Sequence, residues 1–310
     1  MKLVFCGTPH FAVPSLERLV NSGFDVRLVV SQPDRRKGRG MELTAPPVKQ
    51  TANALSLPVV QPENIRSNPE FQQQLSSLDP DAIIVVAYGR IIPPWMLQLP
   101  KFGNINVHAS LLPKYRGAAP IQWAIASGER VTGVTTMRID EGLDTGDILL
   151  KREFQIEPED TAVTLSPRLA AVGAELLVET LPGLETGTVQ PLPQENAQAT
   201  QAPLLKKEDG LIDFARSSVE IYNRLRGFQP WPGAYTHFRG KSLKIVAARP
   251  SQSGPSIALG ELHGSGDRLF AGCGSNTTLE LLTVQPEGRK PVSPREFING
   301  YRPAMGEHLG

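Results

Sequence analysis

Short apolar runs alternate with helical patterns through the first half of the chain. Residues 3–6, 26–30, 82–87 and 104–108 are continuous and rich in Val and Ile, as strands buried on both faces tend to be. Residues 13–20 repeat apolar positions at helical spacing, with Pro14 in the first turn and Gly23 just past the end, where helices commonly stop. Residues 121–126 and 164–181 carry the same period. Thr161 is a candidate N-cap for the second of these, and Pro167 interrupts its start. Residues 131–139 alternate and predict another strand. Strands alternating with helices imply right-handed crossovers and a mostly parallel α/β sheet covered on both faces. In such sheets ligands bind beyond the carboxyl ends of the strands.

The pattern changes after residue 181. Residues 181–203, LPGLETGTVQPLPQENAQATQAP, are rich in Pro, Gly, Gln and Thr and read as a connection between domains. Beyond it, residues 219–225 predict one short helix. Residues 242–247, 256–258, 268–271 and 278–284 predict close-spaced strands separated by Gly and Pro, as in a small antiparallel barrel. The expected division is a first domain over 1–188, a linker over 189–206 and a second domain over 207–310. No internal repeat or low-complexity tract is present.

Composition adds bounds. With 310 residues, two domains are the default, and 40% hydrophobic with 20% charged residues is an ordinary globular profile. Cys6 and Cys273 stand alone, which fits a reduced compartment and two buried thiols. The start, MKLVFCGTPHFAVP, reads as a first buried strand rather than a signal peptide, and no apolar run is long enough for a membrane span. A cytoplasmic location is expected. The net charge of +1 divides into −2 over residues 1–188 (18 Lys and Arg against 20 Asp and Glu) and +3 over 189–310 (14 against 11). That asymmetry is too small to imply nucleic acid by itself.

Three stretches carry candidate chemistry. Gly7-Thr8-Pro9 ends the first strand where a dinucleotide fingerprint would stand, but one glycine is not that fingerprint; it permits a tight strand-to-helix turn. Asn106 and His108 are two apart on a strand, so their side chains leave one face of an otherwise apolar run, and both need partners. A lone histidine there is ordinarily a satisfied core residue. Here Leu111-Leu112-Pro113-Lys114-Tyr115-Arg116-Gly117 follows at the strand's carboxyl end, where α/β sites lie. The third stretch, residues 137–148, holds Asp140, Glu141, Asp144 and Asp147 with Gly142 and Gly146. Such a loop is commonly a solvated acidic turn. Beside an imidazole, however, a carboxylate favours its charged form.

Taken together, Asn106-Val107-His108, Ser110-Leu111-Leu112-Pro113, Tyr115-Arg116-Gly117 and Asp140-Glu141-Gly142-Leu143-Asp144-Thr145-Gly146-Asp147 resemble the 10-formyltetrahydrofolate-dependent formyltransferases. Gln32-Pro33-Asp34, Val86-Ala87-Tyr88-Gly89 and residues 196–232 extend the likeness over essentially the whole chain, towards members acting on methionyl initiator tRNA. Ser166-Pro167-Arg168 and Leu204-Leu205 depart from the pattern away from these motifs. The resemblance implies a Rossmann-like catalytic domain followed by an OB-like barrel. It implies catalytic roles for Asn106, His108 and Asp144, with no metal: Asn106 and a protonated His108 as donors to the formyl oxygen, Asp144 keeping His108 charged. It also implies a 10-formyltetrahydrofolate site at Ser110, Leu111, Leu112 and Pro113, walled by Tyr88, Gly89, Arg90, Ile91, Ile92 and Asp140. Ile91 and Ile92 equally suit ordinary core.

Two basic groups suit a large anionic acceptor. Arg35, Arg36, Lys37 and Arg39 lie in a glycine-containing loop after a strand's carboxyl end, in reach of a phosphate backbone. A loop of this kind is more often plain solvated surface. The resemblance implies that it engages the tRNA acceptor end, Arg39 matching the family's arginine best. Lys206, Lys207, Arg224, Arg226, Arg239, Lys241 and Lys244 could form a backbone-tracking face on the barrel. Among them Trp231 reads as a packing anchor. A monomer is expected. Competing readings are a formyl-folate hydrolase using water, a non-catalytic tRNA-binding module, and an amino-sugar nucleotide formyltransferase, the last expected to lack the C-terminal barrel.

Overall fold

The computed structural model describes residues 1–37, 41–251 and 257–310, with Lys37 described by its backbone alone. Arg39 and Ser256, singled out above, lie outside the described residues. Two compact units emerge. The first comprises Met1–Pro120, Val131–Gln155 and Leu165–Pro203; the second comprises Ile121–Arg130, Ile156–Thr164 and Leu204–Gly310.

The first unit is α/β. Its elements begin β1 (Lys2–Gly7), α1 (Val13–Asn21), β2 (Asp25–Val30), the ribbon β3 (Arg35–Lys37) and β4 (Glu42–Thr44), α2 (Pro47–Ala54), β5 (Val59–Val60) and α3 (Pro69–Ser77). They continue with β6 (Ala82–Val86), α4 (Pro94–Leu97) and β7 (Asn104–His108). After α5 (Pro120–Ala126), all but its first residue in the second unit, come β8 (Val131–Arg138), β9 (Ile148–Gln155) and α6 (Ala162–Thr186). The sheet order is β5-β2-β1-β6-β7-β8-β9. The first five strands run parallel, whereas β8 is antiparallel to β7 and to β9.

The strand order reverses at β1, which has β2 on one side and β6 on the other, so the crevice beyond their carboxyl ends is the place for a ligand. The core explains the unbroken apolar runs: Leu3, Val4 and Phe5 of β1 and Ile83 and Ile84 of β6 are fully buried. α6 runs through both Pro167 and Pro182 rather than starting after the first, and its entry is capped by Thr161 Oγ1, which accepts from the Thr164 amide at 3.2 Å. Gly173 lets α6 approach β7, since a Cβ there would lie 2.7 Å from Val107 Cγ1.

Residues 189–203, within the 189–206 stretch expected to link the domains, are part of the first unit and hydrogen-bond inside it. Leu192 exchanges two backbone hydrogen bonds with Ile148, and Arg116 does so with the 200–202 stretch.

The second unit is an antiparallel sheet of β10 (Ala234–Phe238), β11 (Lys241–Ser251), β12 (Leu262–Ser265), β13 (Arg268–Cys273) and β14 (Thr277–Pro286), in the order β10-β11-β14-β13-β12. It carries α7 (Ser218–Gly227) and α8 (Pro294–Tyr301), each opened by a Ser/Glu capping box. Two register shifts in β11 let that long strand curl. The chain end closes the sheet: Leu262 donates to the Glu307 carbonyl, Leu309 to that of Gly260, and Gly310 to that of His237 on β10, so both edges are bridged. This is the small barrel expected from the sequence, although β10 and β12 fall outside the predicted strands and Ile257 and Ala258 are not in one. Both cysteines are buried, which pushes their thiols up, Cys273 to about 11. Among the described residues no helix is long and apolar enough to cross a membrane.

Candidate active site

β7 turns Asn104, Asn106 and His108 to one face, because alternate strand residues share a side. Asn104, nearest the start, is fixed within the fold by donating to the Met96 carbonyl at 2.9 Å. Asn106 is half-buried and has no side-chain hydrogen bond among the described residues. His108, at the carboxyl end, is 6% exposed. Its Nε2 meets the Tyr115 carbonyl at 2.9 Å and its Nδ1 faces Asp144 Oδ2 at 3.6 Å. A carbonyl accepts only from N–H, so Nε2 carries a proton.

Asp144 belongs to the loop joining β8 to β9 and adopts a left-handed backbone with φ 53°. Its Oδ2 accepts from the Gly117 amide at 2.8 Å, which ties the acidic loop to the loop after β7. Three of the four acids point elsewhere in role. Asp140 accepts from Thr145 Oγ1 at 2.7 and 2.9 Å and from the Gly142 amide, an internal turn clasp. Among the described residues, Glu141 and Asp147 make no hydrogen bond or ion pair with His108 or Asp144. The structure therefore pairs His108 with Asp144, places Asn106 two residues before His108 on the same face of β7, and leaves Asp140 exposed.

The loop expected to cradle a folate is tightly braced. Ser110 is fully buried and its hydroxyl donates to the Lys114 carbonyl at 2.6 Å. Thr135 Oγ1 donates to the Ser110 carbonyl at 2.7 Å and accepts from the Leu112 amide at 3.2 Å, while Lys151 Nζ donates to the Leu112 carbonyl. Leu112 itself packs with Met137 and Ile148. Ser110 and Leu112 thus shape the loop from within, whereas Leu111 and Pro113 are only half-buried.

The turn after β6 divides similarly. Tyr88 and Ile92 are core residues; Gly89 and Ile91 are exposed, Ile91 to 79%. Arg90 is held by the Glu63 carbonyl. Gln32 Nε2 donates to the Tyr88 carbonyl at 2.9 Å and Thr8 Oγ1 to the same oxygen at 3.1 Å, joining the loops after β1, β2 and β6. An open cleft of about 440 Å³ at these strand ends is lined by Thr8, His10, Gln32, Arg35, Pro46 and Gly89, among others.

Of the basic groups, Arg35 and Arg36 are exposed on the β3–β4 ribbon, Arg35 Nη2 donating to Gln32 Oε1 at 2.8 Å. Lys206, Lys207, Lys241 and Lys244 are exposed. The other three members of the expected barrel face are structural. Arg226 is 7% exposed and donates to the Asp160 carbonyl and Asn223. Arg224 lies over Trp123 and Phe228, and Arg239 grips Glu307 through two hydrogen bonds. Trp231 is 54% exposed and is no packing anchor; Phe228, at 1%, takes that part against Trp123.

Sequence reasoning gave no role to Thr135, Gln194 and Asn196 and named Arg116 only as part of a motif; these four hold the two loops. Gln194 donates to the carbonyls of Asp144 and Gly146 and accepts from Arg116, which also donates to Asn196.

A half-buried amide, a histidine paired with a carboxylate and a braced strand-end loop define a site for polar transfer at a carbonyl-like carbon. The chain belongs to the formyl transferase family, whose N-terminal region matches residues 1–181 and whose C-terminal domain matches residues 204–302. It is 64% identical over 310 residues to the methionyl-tRNA formyltransferase of Koribacter versatilis, covering 100% of this chain and 99% of that one. It is 60% identical over 314 residues to that of Acidobacterium capsulatum, covering all of both. In structure it is similar to an N-formyltransferase from Helicobacter canadensis, solved in complex with folinic acid and dTDP-3-aminofucose, with a TM-score of 0.68 and 21% identity over 92% of this chain and 99% of that one. That last likeness concerns the fold alone. It also removes one expected discriminator, since an alignment over 92% of this chain extends into the C-terminal unit.

Proposed function

We propose that the protein transfers the formyl group of 10-formyltetrahydrofolate to the free amino group of methionyl initiator tRNA, giving N-formylmethionyl-tRNA for translation initiation. The observation that carries this reading is the full-length identity to methionyl-tRNA formyltransferases, supported by the His108–Asp144 pair at the end of the strand that also carries Asn106. The donor supplies an activated formyl carbon. The residues fit such a group: an exposed Ile91 offers an apolar wall, and the Asn106 amide has no competing partner among the described residues.

In the reaction the amine nitrogen attacks the formyl carbon, the bond from that carbon to N10 breaks, and a proton passes from the amine to N10. Negative charge develops on the formyl oxygen between these events. Asn106 donates one hydrogen bond to it. Protonated His108 donates a second by releasing Nε2–H from the Tyr115 carbonyl, while Nδ1–H faces Asp144. One such donor is worth about 2.7–4 kcal/mol of barrier. Asp144 keeps the imidazolium oriented and, through water, assists the proton's passage. Ser110, Leu111, Leu112 and Pro113 shape one side of the folate pocket; Tyr88, Gly89, Arg90, Ile91, Ile92 and Asp140 belong to the opposite wall. Arg35, Arg36, Lys37, Arg39, Lys206 and Lys207 engage tRNA. The catalytic domain spans 1–188, with a connection over 189–206 and a tRNA-binding domain over 207–310, in a cytoplasmic monomer.

The test is incubation of the full chain with 10-formyltetrahydrofolate and charged initiator tRNA. Formyl-methionine on the tRNA is the expected product. Free formate alone would instead identify a hydrolase.

A further inference from the structure

We propose that Arg116, Gln194 and Asn196 act as positioning residues that set the His108–Asp144 geometry. The inference rests on the roles given above to His108 and Asp144.

Each end of the pair is held by a backbone that a free loop would not keep. His108 is held by the Tyr115 carbonyl, and Tyr115 has a left-handed φ of 62°; Asp144 has φ 53°. Such conformations are strained for non-glycine residues and persist only where neighbours over-determine them. The neighbours come from the 194–202 stretch. Gln194 Nε2 donates to the Asp144 carbonyl at 2.9 Å and to the Gly146 carbonyl at 2.7 Å, fixing the acidic loop on both sides of Thr145. Its Oε1 accepts from Arg116 Nε at 3.1 Å and Nη2 at 2.8 Å. Asn196 Oδ1 takes a further bond from Nη2 at 2.9 Å. On the other loop, Thr200 Oγ1 accepts from the Tyr115 amide, the Thr200 carbonyl from the Arg116 amide, and the Arg116 carbonyl from the Ala202 amide.

Arg116 is 5% exposed and is held by neutral amide oxygens. A guanidinium buried among amides is an expensive choice if the aim is stability alone. Its rigid fork suits a different task, holding one amide in a single orientation. Gln194 in that orientation has both N–H groups aimed at the backbone around Asp144, so one cluster registers the Tyr115–Gly117 loop against the acidic loop. Asp144 projects from the acidic loop, and the Tyr115–Gly117 loop supplies the carbonyl that meets His108 at the end of β7.

The experiment compares Gln194→Met, Gln194→Glu and Asn196→Ala in the full chain, with Asp144→Asn as reference. Gln194→Met removes the donation and the acceptor; Gln194→Glu keeps an acceptor for Arg116 but turns a carboxylate on the two carbonyls. A displacement of order 1 Å lowers kcat up to about 100-fold, so both Gln194 variants are expected to lose about 10- to 100-fold in kcat. The KM for formyl donor is expected to stay within about threefold, and Asn196→Ala to lose less. In 15N-labelled protein without substrate, the His108 ring signals should move in both Gln194 variants in the sense seen for Asp144→Asn. A merely structural role would lower the melting temperature and leave kcat per folded molecule and the His108 signals unchanged, and that result overturns the proposal. If Gln194→Met does not fold, Gln194→Glu and Asn196→Ala still decide. Should the wild-type chain formylate no tRNA, the assigned reaction fails, while the His108 signals judge the positioning on their own.

Discussion

Nδ1 of His108 lies 3.6 Å from Oδ2 of Asp144, and that same oxygen accepts the Gly117 amide at 2.8 Å. The carboxylate is thus anchored by the backbone rather than by the imidazole, so His108→Ala leaves that tie in place and Asp144→Asn keeps a side-chain oxygen that can accept the Gly117 amide. His108→Ala and Asp144→Asn are each expected to lower kcat by about 100-fold or more, in the range of a positioned acid or base, with little change in melting temperature. Single-turnover formyl transfer checks this, and turnover near wild type in either variant would remove the mechanism.

Gly117 itself has φ 123°, and a Cβ there would lie 2.6 Å from the Ala202 carbonyl oxygen. Gly117→Ala must therefore push the Tyr115–Gly117 loop off the 200–202 stretch or break the bond to Asp144. A destabilisation of more than about 1 kcal/mol is expected, together with a fall in kcat. Chemical denaturation and steady-state kinetics on one preparation read both. A fully active, fully stable variant would contradict the bracing described here.

The barrel offers a pH test. Glu280 on β14 lies directly opposite Arg249 on β11 and is 5% exposed. Hydrogen bonds from Arg268 chiefly, and from Arg249, hold its carboxyl down at about 2. The unfolded value is about 4.3, so the stabilisation is complete above that value and is lost as pH falls from there toward 2. Both arginines are more than half exposed, which screens the pairs. Glu280→Gln is expected to cost about 1–3 kcal/mol at pH 7, and the difference from wild type should shrink at pH 3. Hydrogen exchange of β13 and β14 amides at the two pH values measures it; an unchanged gap would refute the assignment.

What the sequence made legible follows from which interactions leave a period. β1 and β6 were readable because burial on both faces demands continuous apolar runs, whereas β2 and β7 were read from the Val, Leu and Ile that flank Arg27 and Asn106. β12, LHGS, is a half-exposed edge with no such demand, and it escaped. Asn106 and His108 stood out as polar residues in an apolar strand. Gln194 and Asn196 did not, because their partner Arg116 lies 78 and 80 residues away and amides in a Pro- and Gln-rich stretch look like a solvated linker. Arg226 misled in the other direction. It follows Leu225 on the buried side of α7, where a charged residue is kept only by carbonyl and amide partners.

The β3–β4 ribbon separates two effects that one basic loop would otherwise confound. Arg36 is exposed and donates only weakly, at 3.5 Å, to the Met41 carbonyl, so its removal should touch nothing but a bound anion. Arg35 instead donates to Gln32, whose amide secures the Tyr88 carbonyl and so the turn after β6. Arg36→Ala is expected to weaken tRNA binding uniformly and to reduce the slope of log K against log salt by about 1, with the KM for formyl donor unchanged. Arg35→Ala should weaken tRNA binding and also raise the KM for the donor, because the turn after β6, proposed above to wall the folate, loses its brace. Measuring both constants for both variants at several salt concentrations distinguishes the cases. Identical effects of the two substitutions on the donor would mean that Gln32 holds the turn without Arg35.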